Sequence, residues 1–320
     1  MTGVTVRVPA KLNLQLAVGP PRADGYHDLV TVFHAVSLFD EVTAAPAARD
    51  GVAVTGEGAD QVPADQDNLA LRAVAALRGA LPGGTAGSGG VHITISKRIP
   101  VAAGLAGGSA DAAAALLACN ELWDSGLSQQ QLVEVAARVG SDVAFALIGG
   151  TAVGRGRGER LTPALAPATQ YHWVLAFADG YLSTPEVYAT LDRLRARASD
   201  GGRAPAPARG KPRQPDLDAA LMSALRSGEA RLVGRTLSND LQQAALSLFP
   251  PLRKTLAAGL ELGALGALVA GSGPTCVFLA ASANRALDLA VSLSSAGVCR
   301  SVARVTGPVP GAVIVPATPR

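Results

Sequence analysis

Val4, Val6 and Val8 fall on one face of an extended chain, and Leu12, Leu14 and Leu16 then alternate with Asn13 and Gln15, the period of two that marks a strand. Further strands are predicted over residues 30–37, 40–44 and 52–55. Residues 68–81 change period, with Leu69, Ala73, Ala76 and Leu77 on one face of a helix. Alternation returns at Val91-His92-Ile93-Thr94-Ile95, and helices are predicted over 112–122 and 128–138, the second capped by Ser128. Trp173-Val174-Leu175-Ala176-Phe177 reads as a strand, and Ser183-Thr184-Pro185-Glu186 joins a capping residue, an early proline and a glutamate into a helix start. Strands near 266–270, 275–280, 298–305 and 312–315 alternate with helices to the end. No internal repeat is visible.

The elements describe an α+β chain of two domains, divided near 156–161 into residues 1–158 and 159–320. Residues 197–215 are rich in Gly, Ala, Pro and Arg without an apolar period, and are expected to form a mobile surface insertion. With 320 residues and 48% hydrophobic content the chain can bury a substantial core. Its formal charge of +3 comes with no basic stripe and no interleaved aromatics, so no nucleic-acid partner is expected. Cys119, Cys276 and Cys299 are odd in number, far apart and set in apolar segments, which argues against disulfides or a zinc site. Residues 1–12 lack the apolar core of a signal peptide. The uncharged stretch 262–284 is broken by Gly271-Ser272-Gly273-Pro274, a turn between two strands rather than a membrane span. A cytoplasmic protein is the expectation.

Between the strand at 91–95 and the helix at 112–122 runs Pro100-Val101-Ala102-Ala103-Gly104-Leu105-Ala106-Gly107-Gly108-Ser109-Ala110. Small residues at a strand-to-helix turn let backbone N–H groups and the positive end of the helix dipole converge on an anion, and a nucleotide phosphate is the ligand this suggests. An ordinary glycine-rich loop is the alternative. No Gly-Lys-Ser/Thr follows, so the Walker pattern is absent, and the glycine spacing does not fit a dinucleotide fingerprint.

Read together, Pro9-Ala10-Lys11-Leu12-Asn13-Leu14, Arg22-Ala23-Asp24-Gly25-Tyr26-His27, the loop over 100–109 and Gly140-Ser141-Asp142-Val143 resemble the successive motifs of the GHMP small-molecule kinases. Ala102, Ala103 and Ala106 stand where many members carry glycine, which puts glycine-specific backbone angles in doubt. The resemblance implies a first domain with the fold of ribosomal protein S5 domain 2, a ferredoxin-like second domain, and substrates in the cleft between them. It implies ATP as phosphoryl donor, held by the loop, with Mg2+ whose protein ligands stay open. Ser109 would meet a phosphate or the magnesium. Asp142 would be the general base for the substrate hydroxyl, with Lys11 stabilising its charge.

The Asp-Gly-Tyr-His segment resembles the branch of the family that takes a cytidyl diphosphate alcohol rather than mevalonate, homoserine or galactose. A cytosine ring offers a face to stack and an edge to hydrogen-bond. Tyr26 and Tyr188 would enclose it and His27 would meet its edge; plain packing and a surface turn are the alternative. The resemblance also puts Asn13 and Thr184 near the substrate's polar groups and Asn68 and Lys97 near the adenosine, where a helix cap and a solvated charge are the alternatives. Gly271, Ser272 and Gly273 resemble a glycine motif reaching the site from the second domain, and equally a tight turn between strands. A kinase for another alcohol and a nucleotide-binding regulator without turnover remain as rivals.

Overall fold

The computed structural model describes residues 3–81, 89–165, 167, 169–200 and 214–316. In the first half the elements run β1 (Val4–Pro21), β2 (His27–Ala47), β3 (Gly51–Gly56), α1 (Leu69–Ala80), β4 (Gly90–Lys97), α2 (Gly107–Leu122), α3 (Gln129–Val139), α4 (Val143–Ile148), β5 (Thr151–Gly156) and β6 (Arg160–Pro163). The second half continues with β7 (Tyr171–Phe177), α5 (Thr184–Asp200), α6 (Ala219–Ser227), α7 (Ala230–Thr236), β8 (Ser238–Asn239), α8 (Gln242–Leu248), α9 (Pro251–Glu261), β9 (Gly266–Val269), β10 (Cys276–Ala280), α10 (Ala283–Ser295), β11 (Ser301–Gly307) and β12 (Val313–Val315).

The two strands expected over 30–37 and 40–44 are one strand, β2, because no glycine or proline separates them and β1 pairs with it from His27 to Ala44. Bulges between Pro9 and Ala10, and between Asn13 and Gln15, absorb the accumulated twist of this ribbon. Strand β2 then serves two neighbours, β5 along its first half and β4 along its second. The first sheet has the order β12-β1-β2-β4-β3, with β5, β6 and β8 attached. Helices α1 to α4 cover its inner face, and α2 is buried nearly all round from Ala110 to Leu116.

The second sheet has the order β11-β7-β10-β9. Hairpin β9–β10 lies between two crossovers, which gives the antiparallel ferredoxin-like arrangement that the resemblance implied. Strand β7 shows why this sheet has two cores. Trp173, Leu175 and Phe177 join the core shared with the first domain, while Val174 and Ala176 join the one under α5, α8, α9 and α10. At the junction the His34 ring lies edge-on to Tyr171 and Trp173, with centroids 5.9 and 5.7 Å away. Complete burial pushes this imidazole down to about 3 and keeps it neutral.

Two expected boundaries move. A division at 158/159 would cut the turn of the β5–β6 hairpin, whose ladder pairs Arg155 with Arg160 and Ala152 with Pro163; the chain leaves the first sheet after Pro163. Helix α5 runs on to Asp200, so the expected insertion starts later than residue 197, and residues 201–213 of it lie outside the described residues. Among the described residues no helix is long and apolar enough to cross a membrane.

Candidate active site

The phosphate-binding expectation rests on how α2 begins, and it begins five residues before the predicted 112, at Gly107. Its cap residue is Ala106, which has no side-chain acceptor to offer, and the first intrahelical bond of this turn is Ala110 N–H to Ala106 O at 2.9 Å. The N–H groups ahead of it belong to the helix end that has no internal partner. Gly108 is exposed and Ser109 half-buried at this point, while Leu105 and Ala110 sit beneath the loop in the core. Ala102 and Ala106 adopt positive φ of 52° and 59°, so the loop keeps glycine-type backbone angles with alanine in place. Such angles cost a non-glycine residue roughly 1–2 kcal/mol. Gly104, at φ 78°, is needed for a second reason: a Cβ there would lie 2.1 Å from the carbonyl oxygen of Ala270, in the second domain.

Strand β1 delivers the other half of the cleft. Its polar positions Lys11, Asn13 and Gln15 are buried along with its leucines, so the alternation separates an apolar core face from a polar face that is also covered. The Lys11 N–H donates to Leu105 O at 3.2 Å, docking the strand to the loop. The Lys11 ammonium donates to Asn13 Oδ1 at 2.7 Å and to Gly104 O at 3.3 Å, and lies 3.7 Å from Asp142 Oδ2. Asn13 in turn donates to Thr31 Oγ1, and Thr31 to Gln15 O, both within 2.8 Å. Asp142 stands at the entrance of α4 without a capping hydrogen bond, its side chain 29% exposed to the cleft. That short helix was not foreseen from the sequence.

The second domain closes the opposite wall. Asn239 donates from one amide nitrogen to Val269 O and Gly271 O, both at 2.7 Å, and so shapes the turn after β9. A Cβ on Gly271 would stand 3.3 Å from the Lys11 nitrogen, and Ser272 shares a 2.8 Å hydrogen bond with Thr184 at the start of α5. This glycine segment is a turn between strands, and its Gly271 and Ser272 line the cleft. Gly273 is not part of the cleft lining, and a Cβ there would meet Val269 and Leu182.

The cleft has a volume of about 680 Å³ and is lined by Lys11, Asn13, Asn68, Lys97, Asp142, Thr184, Tyr188, Gly271, Ser272 and most of the loop. Asn68 caps α1, accepting from Ala70 N–H at 2.9 Å. Lys97 is not a solvated charge. It is buried, and its ammonium donates to Asp40 and Asp111 at 2.6 and 2.7 Å. Burial alone would lower its pKa, yet the two carboxylates together raise it. Burial also pushes Asp111 up to about 8, against the pull of Lys97 and with the help of Asp40.

Of the residues expected to meet a cytosine ring, Tyr188 lines the cleft, while Tyr26 and His27 are not part of that lining. Tyr26 is 54% exposed on the β1–β2 turn, away from the cleft lining, with the Arg157 guanidinium 5.2 Å from its ring centroid. His27 is buried behind the wall, its ring 5.0 Å from that of Tyr188 and its Nε2 hydrogen-bonded to both oxygens of Asp192 at 3.1 and 3.2 Å. Burial, aided by the Asp142 charge, raises the Tyr188 phenol well above its ordinary range.

Residues 68–150 match the GHMP kinases N terminal domain, and residues 221–299 match the GHMP kinases C terminal domain. A 4-diphosphocytidyl-2-C-methyl-D-erythritol kinase of Thermobifida fusca (strain YX) is 54% identical over 98% of this chain and 99% of its own length. The chain belongs to the GHMP kinase family. Within that family its relatives carry the same kinase name repeatedly, among them one from Streptomyces coelicolor at 52% identity over 98% of this chain and 99% of that one. A crystal structure of 4-(cytidine 5'-diphospho)-2C-methyl-D-erythritol kinase superposes with a TM-score of 0.71 at 34% identity, covering 94% of this chain and 98% of that chain. This GHMP kinase is therefore an ATP-dependent enzyme of the isoprenoid-precursor branch that phosphorylates a small molecule.

Sequence reading missed Asp40, Asp111, Asn239 and Asp192. Asp40 left a readable signal, since it shares the inward phase of β2 with Val42 and Ala44, all three fully buried. A carboxylate at such a position requires a partner.

Proposed function

We propose that the chain transfers the γ-phosphoryl group of ATP to the 2-hydroxyl of 4-diphosphocytidyl-2-C-methyl-D-erythritol, releasing ADP, with Asp142 as the general base and Lys11 as its charge partner. The observation that carries this reading is the convergence of Lys11 and Asp142, 3.7 Å apart, on the loop whose Gly104 carbonyl the same ammonium touches. Asp142 takes the proton of the attacking hydroxyl, and the Lys11 ammonium counters the charge that spreads over the transferring oxygens. The open N–H groups at the start of α2 hold the phosphates. Asn68 and the loop flank the nucleotide; Asn13, Thr184, Ser272 and Tyr188 face the acceptor, with His27 and Tyr26 on its outer side.

Mg2+ binds through one or two protein oxygens together with substrate phosphates. The Ser109 hydroxyl and the Asp142 carboxylate, both on the cleft, are hard oxygen donors that fit this demand. When bound, the ion would neutralise phosphate charge. The first domain, through Pro163, supplies the loop and the reacting groups, and the second supplies the glycine turn. A cytoplasmic enzyme of soluble substrates suits this chemistry.

The test is ADP release measured with the cytidyl substrate and, in parallel, with mevalonate, homoserine and galactose. Turnover with the cytidyl alcohol alone supports the assignment. Faster turnover with another alcohol would transfer the site to the rival substrate, and ADP binding without any turnover would favour the regulator.

A further inference from the structure

One buried hydroxyl stands directly behind the reacting groups. Thr31 of β2 is shut off from solvent opposite the bulge that β1 carries between Asn13 and Gln15. Its Oγ1 lies 2.7 Å from Gln15 O and 2.8 Å from Asn13 Nδ2. The other end of the Asn13 amide, Oδ1, lies 2.7 Å from the Lys11 ammonium. Gln15 is itself a fixed point, since its side chain donates to Asp216 O at 2.7 Å and accepts from Asp218 N–H at 3.0 Å. A Cβ on Gly271 would stand 3.3 Å from the Lys11 nitrogen and 3.5 Å from Asn13 Oδ1, so the glycine turn of the second domain closes over the same pair.

The direction of these hydrogen bonds is set from one end. A backbone carbonyl can only accept, so Thr31 gives its one proton to Gln15 O and has only lone pairs left to offer. Asn13 must therefore turn its amide nitrogen toward Thr31, which leaves Oδ1, the atom an ammonium needs, facing Lys11. The reversed amide would aim N–H groups at the ammonium and set a carbonyl oxygen against a hydroxyl with no proton to give. With Oδ1 in place, Lys11 is held by Asn13 at 2.7 Å and by Gly104 O at 3.3 Å, and stands 3.7 Å off Asp142 Oδ2. The closest of these partners is the one that Thr31 orients.

We propose that Thr31 is a positioning residue, whose hydroxyl fixes the Asn13 amide and, through it, the place of the Lys11 ammonium between the phosphate loop and Asp142. This rests on the reading of Lys11 and Asp142 as the reacting pair. Without the hydroxyl, a buried Asn13 N–H is left unpaired and the amide is held from one side only. The amide then turns toward other acceptors, and Lys11 loses its fixed one. A displacement of about 1 Å at a reacting group costs up to about 10²-fold in rate.

Steady-state kinetics of the full-length chain with ATP and the cytidyl substrate, normalised to the folded fraction from thermal melts, separate this role from plain packing. Thr31→Val keeps the shape and removes the hydroxyl, whereas Thr31→Ala and Thr31→Ser both lose the methyl and differ from each other only in the hydroxyl. Turnover should follow the hydroxyl: kcat falls about tenfold to 10²-fold in Thr31→Val and Thr31→Ala and stays within about threefold in Thr31→Ser, with the ATP KM within about twofold throughout. In an Asn13→Ala background, Thr31→Val should cost less than about twofold more, because the amide it orients is gone. Wild-type kcat in Thr31→Val, equal losses in Thr31→Ser and Thr31→Ala, or an undiminished loss in the Asn13→Ala background would each overturn the proposal. Near-normal turnover by Lys11→Ala would overturn the catalytic reading itself, and this proposal with it.

Discussion

Helix α3 opens on Ser128, whose hydroxyl accepts from Gln131 N–H at 3.4 Å while the Gln131 side chain accepts from Ser128 N–H at 2.9 Å. Helix α2 opens on Ala106 and Gly107, with no side chain to close its first turn and a left-handed alanine at the cap. The two starts differ because they are secured differently. Helix α3 is amphipathic, buries one face through Leu132, Val135 and Ala136, and closes its own end. Helix α2 is enclosed on nearly every side, so packing holds it firmly enough for its end to stay open. An open helix end is a local deficit of roughly 1 kcal/mol that an anion can redeem. The capped helix closes its own end, and on the proposed function the uncapped one receives the phosphates.

That contrast can be broken in order of expected effect. The open start serves catalysis only beside reacting groups, so Asp142→Asn should lower turnover by about 10²- to 10⁴-fold, the usual worth of a general base, with an unchanged thermal melt. Lys11→Ala should likewise lower it strongly, and near-normal kcat in both would dissolve the mechanism. Closing the open end is the next test. Ala106→Asp places a carboxylate at the N–H groups of α2, where it competes with phosphate, and the ATP KM should rise about tenfold, or ~1.4 kcal/mol; an unchanged KM would mean that phosphates bind elsewhere. At the capped end, Ser128→Ala should cost about 1 kcal/mol in denaturant unfolding and leave both KM values alone. The smallest effect belongs to the strained loop: Ala102→Gly relieves a left-handed alanine but loosens the unfolded chain, for a net gain below ~1 kcal/mol by the same unfolding measurement.

Much of this was legible in the residues. The alternation in β1, the face of α1, the Ser128 cap and the small-residue loop all appear where periodicity and capping chemistry put them. The early start of α2 was not, because Gly107 and Gly108 are poor helix formers in isolation; the burial of Gly107 and the Lys97–Asp111 tie carry the helix back to this point. Six apolar residues without a clear period hid α4, which sets the position of Asp142. Lys11 and Asp142 were found through their motifs, whereas Asp40 and Asp111 had no motif and needed the tertiary structure to bring Lys97 between them. The expected aromatic clamp was half legible: Tyr188 reaches the cleft, and Tyr26 keeps to the surface turn.

Strand β12 supplies the edge of the first sheet by pairing Val313–Val315 with Thr5, Val6 and Arg7 near the opposite terminus. During synthesis that edge stays bare until residues 313–315 have been made, so the first sheet emerges with an unprotected ladder open to mispairing. A fragment ending at Pro163 should accumulate as aggregate on expression, and adding back a peptide that carries the last strand should be the most direct way to keep it in solution.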